Sequence, residues 1–315
     1  MRRMRLIPQP RVPTRRATAR VFSVCAVLLV GGVGSLARAQ DAQPFQLDAG
    51  TVPVGPDDGV QLQRPRVIAA RSVQVQLRSD YSYRPLVVRL RGATREDVAV
   101  VDHRLTGALS LSYGVAERLS VFVTLPFVVH QVGEGVLGLP PPAQRGLSDL
   151  VVGVNAHVFG GTDGAQLGVG LALIEPTGKV AAFASDDRIG AVAQLRFAYG
   201  ANRWSVGATA GVTLRPDREW LTHQTGADLT LVLGAFVHPL EGLRLGLELG
   251  AATGLTDHHV FDATRTPLEA SLSGRVTLDY GLYVLAAAGV GLADGVGAPR
   301  VRASLALGWA SSQLP

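Results

Sequence analysis

The sequence predicts an all-β chain, a transmembrane antiparallel up-and-down β-barrel of about 12 strands. Three observations predict it. After residue 40 the longest apolar run is about twelve residues, Leu282–Ala293, so helical membrane spans are excluded. Apolar and polar residues alternate with a period of two in segment after segment, the pattern of strands with one apolar and one polar face. The connections between these segments alternate in length, with short turns at one end and long polar loops at the other.

The chain of 315 residues opens on an expected export signal. Residues 1–20 are Arg-rich, Val21–Leu36 is apolar and small, and Ala37-Arg38-Ala39 places small residues where a signal peptidase reads. Cleavage is expected near Ala39. The apolar run falls short of the ~20 residues of a spanning helix, the alternative reading. The only cysteine, Cys25, lies in this leader, so the mature chain has no disulfide and no thiolate chemistry. The leader also holds eight Arg and no acid, which leaves the remainder near −3 although the whole chain is +5. The basic balance therefore belongs to the leader, and a nucleic-acid partner is not supported. Charged residues are only 17% and Gly is 37 of 315, a composition foreign to a large soluble helical protein.

Residues 40–71 carry Pro44, Pro53, Pro56 and Pro65 with little periodicity. An extended periplasmic lead-in is expected there, with a small plug as the alternative. The barrel is expected over 72–309, and 310–315 form a short tail. Its strands read as 72–83, 100–113, 119–129, 147–158, 165–175, 188–199, 204–214, 223–237, 243–252, 268–280, 282–292 and 299–309. Leu243–Gly250 shows the alternation: one face is all Leu, the other Arg244, Gly246, Glu248 and Gly250. Eleven residues tilted about 40° rise roughly 28 Å, enough for an apolar band of about 25 Å. Tyr113, Phe159, Tyr199, Trp204, Tyr280 and Trp309 fall beside the short turns, and Tyr81, Tyr83, Phe127, Phe183, Trp220 and Phe261 near the long loops, as two interfacial girdles would.

A charge facing lipid at mid-depth costs about 2–4 kcal/mol, so the charged face of each strand is expected to look inward. That assigns Arg78, Asp80, Asp102, Arg104, Asp149, His157, Arg188, Arg196, Asp228, Arg244, Glu248, Glu269, Arg275, Asp279 and Arg302 to the lumen as pore-lining candidates. The charges either line a narrow water-filled pore or pair across the lumen and close it. Inward glycines such as Gly168, Gly170, Gly207, Gly211, Gly246, Gly250, Gly289 and Gly291 are expected to widen the path.

No catalytic, metal or cofactor site is expected. Gly178-Lys179 lacks the Ser or Thr and the upstream Gly of a phosphate loop. His258-His259, near Asp257 and Asp262, reads as a solvated loop, as does Asp186-Asp187. His103 and His157 read as lumen lining, which leaves no Ser–His pair on the exterior for a barrel lipase.

The chain resembles Gram-negative outer-membrane barrels, and in particular the barrel half of long OmpA-like proteins. The matching stretches are Tyr83-Arg84-Pro85-Leu86-Val87-Val88, His103-Arg104-Leu105-Thr106, Glu117-Arg118-Leu119 with Leu125-Pro126, Gly146-Leu147-Ser148-Asp149-Leu150, Glu175-Pro176-Thr177-Gly178 and Gly297-Ala298-Pro299-Arg300-Val301-Arg302. The resemblance implies a bacterial outer-membrane location, with lipid, lipopolysaccharide and the outer-membrane insertion machinery as partners. It departs from those relatives in stopping without a C-terminal peptidoglycan-binding domain, and Ala310–Pro315 follows the aromatic, Trp309, that would end an assembly signal. The expected function is a narrow passive pore for small hydrophilic solutes. The alternative is a closed-lumen structural or surface-interaction protein of the outer membrane.

Overall fold

A computed structural model describes residues 45–47, 52–91, 95–161, 163–201, 203–221, 223–255, 266–293 and 295–311. The expected signal, most of the tail, the His258-His259 pair and Phe261 lie outside the described residues.

Apolar–polar alternation becomes strand throughout. In chain order come β1 (Val73–Arg91), β2 (Arg95–Ala116), β3 (Leu119–Val132), the two-residue β4 (Gly146–Leu147) and β5 (Leu150–Phe159). Next are β6 (Gly164–Glu175), β7 (Gly190–Ala201), β8 (Trp204–Leu214), and a small hairpin of β9 (Arg218–Trp220) with β10 (His223–Thr225). The series ends with β11 (Asp228–Leu240), β12 (Leu243–Gly254), β13 (Leu268–Thr277), β14 (Leu282–Ala293) and β15 (Val301–Ala310). Setting aside β4, β9 and β10, twelve strands pair antiparallel, each with its chain neighbour. The sheet closes when β1 pairs with β15, from Gln74↔Ala310 through Leu77↔Leu307 to Tyr83↔Val301. The fold is thus the closed, twelve-stranded, up-and-down barrel that the periodicity predicts, with no edge strand to leave backbone groups unpaired.

The two faces of the wall differ sharply. On β12, Leu245, Leu247 and Leu249 are exposed on the outside while Glu248 is fully buried within. On β2, Leu109, Leu111 and Tyr113 point out, and Ser110 and Ser112 are buried inside. Short turns close one rim; Gly242 (φ 75°) and Gly281 (φ 79°) supply the left-handed backbone that such tight reversals need.

Several boundaries differ from expectation for local reasons. The strand expected over 223–237 begins at Asp228, because His223–Thr225 fold back on Arg218–Trp220, and the one expected over 147–158 is interrupted at Ser148 and Asp149. Residues 84–99, expected as a loop, continue the β1–β2 ladder as far as Arg91↔Arg95 after a bulge between Tyr83 and Leu86. The β-branched Val87, Val88, Val98, Val100 and Val101 favour that extension. At 188–189 and 278–280 the chain is not in a strand, so Arg188 and Asp279 fall outside the ladder.

The described part of residues 40–71 runs inside the barrel, as the small-plug alternative has it and not as the expected extended periplasmic lead-in. Residues 45–47 lie at the long-loop rim, where the Leu47 N–H reaches Phe183 O at 3.1 Å. Pro53 and Val54 lie near the short-turn rim, where their carbonyls accept from the Gln76 and Gln74 side chains. Residues 60–62 rise back to the level of Glu248, and the chain leaves past Gly114 to enter β1. Apolar side chains explain the placement. Val54 packs with Phe122, Val151, Ala172, Ile174 and Val192, and Val60 packs with Leu285 and Ala306. A segment that carries these residues buries them in the lumen instead of leaving them in water.

The aromatic rings also divide. Those beside the short turns point outward, from Trp309 at 41% exposed to Tyr280 at 85%. At the long-loop rim Phe183 and Trp220 turn inward and are buried against Phe45.

Candidate functional site

The candidate site is the lumen, and its chemistry follows from which wall residues the inner segment engages. Glu248, projecting from β12, is the central anchor. Its carboxylate accepts the backbone N–H groups of Val60 (2.8 Å), Gln61 (2.8 Å) and Leu62 (2.7 Å), and the Ser273 hydroxyl at 3.2 Å. Three successive amides converging on one carboxylate form a charge-assisted cradle, the strong class of hydrogen bond. On β1, Arg78 donates to Val60 O at 2.7 Å while pairing with Asp80 at 2.7 Å. Arg244 donates to Asp57 O at 2.6 Å and to Asp58 O, and lies over the Phe236 ring. Arg196 donates to Gln63 Oε1, and the Thr209 hydroxyl reaches Gln63 O at 2.6 Å. His157 lies 3.3 Å from Pro65 O and 2.9 Å from Gly160 O.

The inner segment also folds on itself. The Asp58 carboxylate accepts from the N–H of Gly55 (2.6 Å) and of Arg64 (2.7 Å), closing a turn near the short-turn rim. Arg66 pairs with Asp57 at 2.8 Å.

Other predicted lining residues are engaged by the wall and its loops, one pair of them by each other. Glu269 and Arg302 meet at 3.0 Å, and Asp228 pairs with Arg215. Arg275 stacks over the Tyr283 ring at 3.9 Å. Arg104 is fully buried and donates to Gln131 Oε1 at 2.7 Å and to the carbonyls of Ala182 and Phe183. Asp149 is buried at the head of β5, accepting from the N–H of Gly178 and of Asp186.

Three predicted lining residues lie elsewhere. Arg188 is exposed in the loop before β7, and Asp279 is exposed in a short turn. Asp102 sits at the β1–β2 bulge, about a third exposed, paired with Arg84 at 2.9 Å. The bulge shifts the register and takes it out of the ladder's regular alternation. His103, expected inside, is exposed instead: its Nδ1 lies 2.7 Å from the Tyr81 hydroxyl and its ring packs against Tyr83. Asp186, expected in solvent, is buried and accepts the Gln46 N–H at 2.9 Å.

Several inward glycines make room for the inner segment and do not widen a path. A side chain at Gly168 would meet Pro65 Cα at 2.8 Å, and one at Gly207 would meet Leu62 Cδ2 at 2.7 Å. A cavity of about 390 Å3 remains between residues 45–47 and the stretch that includes Val52, Pro53 and Val60. Its walls include Asp80, Arg104, Thr106, Gln194, Glu269 and Arg302.

Sequence reasoning missed the inner partners: Asp57, Asp58, Gln61, Gln63 and Arg64. One signal was legible. Val54, Val60, Leu62 and Ile68 are apolar residues that a solvated linker has no reason to carry.

No protein-family model matches the chain, and no curated protein matches it. Solved structures do match in fold. The COG4313 outer membrane channel from Pseudomonas putida F1 superposes with a TM-score of 0.63 at 15% identity, over 78% of this chain and 97% of that one. The NanC porin gives a TM-score of 0.50 at 9% identity, over 76% of this chain and 100% of that one. At these identities the likeness shows the barrel fold.

Proposed function

We propose that the chain is an outer-membrane barrel that forms a narrow passive pore for small hydrophilic solutes. The cavity of about 390 Å3 inside a closed barrel carries this reading: its walls set charged side chains such as Asp80, Arg104, Glu269 and Arg302 among apolar ones such as Val151, Ile174 and Val192, and the barrel's outer face is a belt of exposed Leu and Val. A belt of that kind suits contact with acyl chains, and the split into short turns at one rim and long loops at the other supports turns in the periplasm and loops outside. The leader would be removed near Ala39 on export. Lipid, lipopolysaccharide and the insertion machinery follow as partners of the same reading. Two solved barrels of the same fold bear the names of an outer membrane channel and a porin, which agrees with it. No reacting group is needed: size and the paired charges Arg78–Asp80 and Arg302–Glu269 select what passes.

The inner segment sets the conductance. It fills the lower lumen through polar contacts and through the apolar packing of Val54 and Val60, and its displacement opens the path. The same segment favours the second reading, a closed-lumen structural barrel, if it never yields. Single-channel recording in a planar bilayer decides. A pore gives steady steps that grow when Glu248→Gln weakens the cradle. A barrel silent both as the native chain and as Glu248→Gln overturns the pore.

A further inference from the structure

Residues 45–47 lie at the long-loop rim as a bound peptide lies in its site. Phe45 enters a box of two rings, edge-on to Phe183 at 5.8 Å and to Trp220 at 5.9 Å; those rings lie 5.6 Å apart. The backbone on either side is read atom by atom. Asp186 accepts the Gln46 N–H at 2.9 Å, Arg215 donates to Gln46 O at 3.1 Å, and Phe183 O accepts the Leu47 N–H at 3.1 Å. Leu47 joins the apolar cluster of Leu86, Val100, Val101 and Val136. The reading groups are buried and fixed. The Asp186 and Arg215 side chains are 5% and 8% exposed and 3.6 Å apart. Phe183 is held at φ 50°, a left-handed conformation that costs a bulky residue about 1–3 kcal/mol. The cavity begins directly beneath: Phe45, Gln46, Leu47 and Arg215 are among its walls.

We infer that this box is a binding site for short extended peptides that carry an aromatic residue, and that residues 45–47 occupy it as a resident surrogate. The chemistry of the site fits that class. A carboxylate faces an amide N–H, a guanidinium faces the next carbonyl, and an aromatic slot takes the side chain before them. Simple ions would leave the slot unfilled. The inference rests on the pore reading only in that the inner segment must be able to leave. A tethered occupant acts at an effective concentration of about millimolar, so a free peptide competes poorly until the surrogate is loosened.

The test uses the full chain in detergent with Trp204→Phe and Trp309→Phe, so that Trp220 alone reports. The probe is acetyl-Phe-Gln-Leu-amide, with acetyl-Ala-Gln-Leu-amide as its control. Two variants empty the box independently: deletion of residues 41–51, and the pair Phe45→Ala with Gln46→Pro, which removes the ring and the N–H that Asp186 reads. Either variant that retains heat-modifiable migration serves. The Phe peptide is expected to change Trp220 emission saturably, and to bind the emptied chain at least about tenfold more tightly than the unaltered one. Asp186→Asn and Arg215→Gln in the emptied chain are each expected to weaken it about tenfold. No saturable change in an emptied, folded barrel overturns the inference; so does equal binding of the Ala peptide, or indifference to Asp186→Asn. Because the readout is emission and not current, a silent barrel that binds the peptide refutes the pore and keeps the site. A conducting barrel that ignores the peptide does the reverse.

Discussion

The wall of the barrel and the segment within it are held by opposite means. Each wall strand bonds to its chain neighbour, and its outward residues alternate with inward ones, so the information is local and repeated. The inner segment has no strand or helix among its described residues. It is fixed by partners far away in sequence: Glu248 reaches residues 186 to 188 positions earlier. The difference teaches where a perturbation travels. A fault in the wall breaks the barrel, whereas a fault in the anchoring of the segment changes only what the barrel contains.

The sharpest test of that separation is the seam between β1 and β15. Leu307 pairs with Leu77 on one side and Val284 on the other. Leu307→Pro removes an N–H from the ladder in the middle of a strand paired on both sides, a place where proline is essentially never found. The expected outcome is loss of the heat-modifiable band on electrophoresis. A variant that still migrates as a folded barrel would show that closure does not depend on this seam.

Two adjacent residues then separate wall from contents. Glu248 is buried within, and Leu247 is 55% exposed outside. Glu248→Ala leaves three amide N–H groups without their acceptor and strips the anchor of its charge, a loss of about 1–3 kcal/mol for each buried amide left unpaired. The barrel should still assemble, while residues 52–68 become accessible to protease added from the short-turn side. Leu247→Arg does the opposite. It places a charge against acyl chains at about 2–4 kcal/mol, lowering the unfolding midpoint in urea and leaving the segment protected. If the two variants gave the same phenotype, the division between wall and contents would fail.

This contrast also explains what could be read from the sequence. The wall was legible because its rule is a period of two: β8 and β12 begin where the alternation begins, at Trp204 and Leu243. Faces were legible for Arg78, Arg196, Arg244 and Glu248, since lipid forbids the other choice. The bulge at Arg84, which falls opposite Asp102, was not, because it shifts the register without any change in composition; His103 needed no bulge, since its neighbour Arg104 points inward and the period of two then turns His103 out. The role of the inward charges was not legible either. An arginine that lines water and an arginine that holds a carbonyl of residue 58 look alike in a strand. Phe183 and Trp220 were placed in the outer girdle by their distance from the strand ends, but the presence of Phe45 turns them inward.

The smallest expected effect concerns the glycines, where the comparison is finest. Gly207 on β8 faces Gly234 across the ladder, and both lie beneath Leu62. A methyl group at Gly207 would stand 2.7 Å from Leu62 Cδ2, closer than carbon atoms pack, so Leu62 must move. Overpacking of this kind costs about 1–3 kcal/mol, and here the cost falls on the segment, since the backbone of β8 is fixed on both sides by its neighbours. Gly207→Ala should therefore leave the urea midpoint of the barrel unchanged while raising the protease sensitivity of residues 52–68 and the single-channel conductance. Leu62→Ala in the same chain removes the obstructing atom and should restore the segment's protection in part. A Gly207→Ala barrel that unfolds early instead would mean that the glycine serves the wall, and that wall and contents are coupled more tightly than their contacts imply.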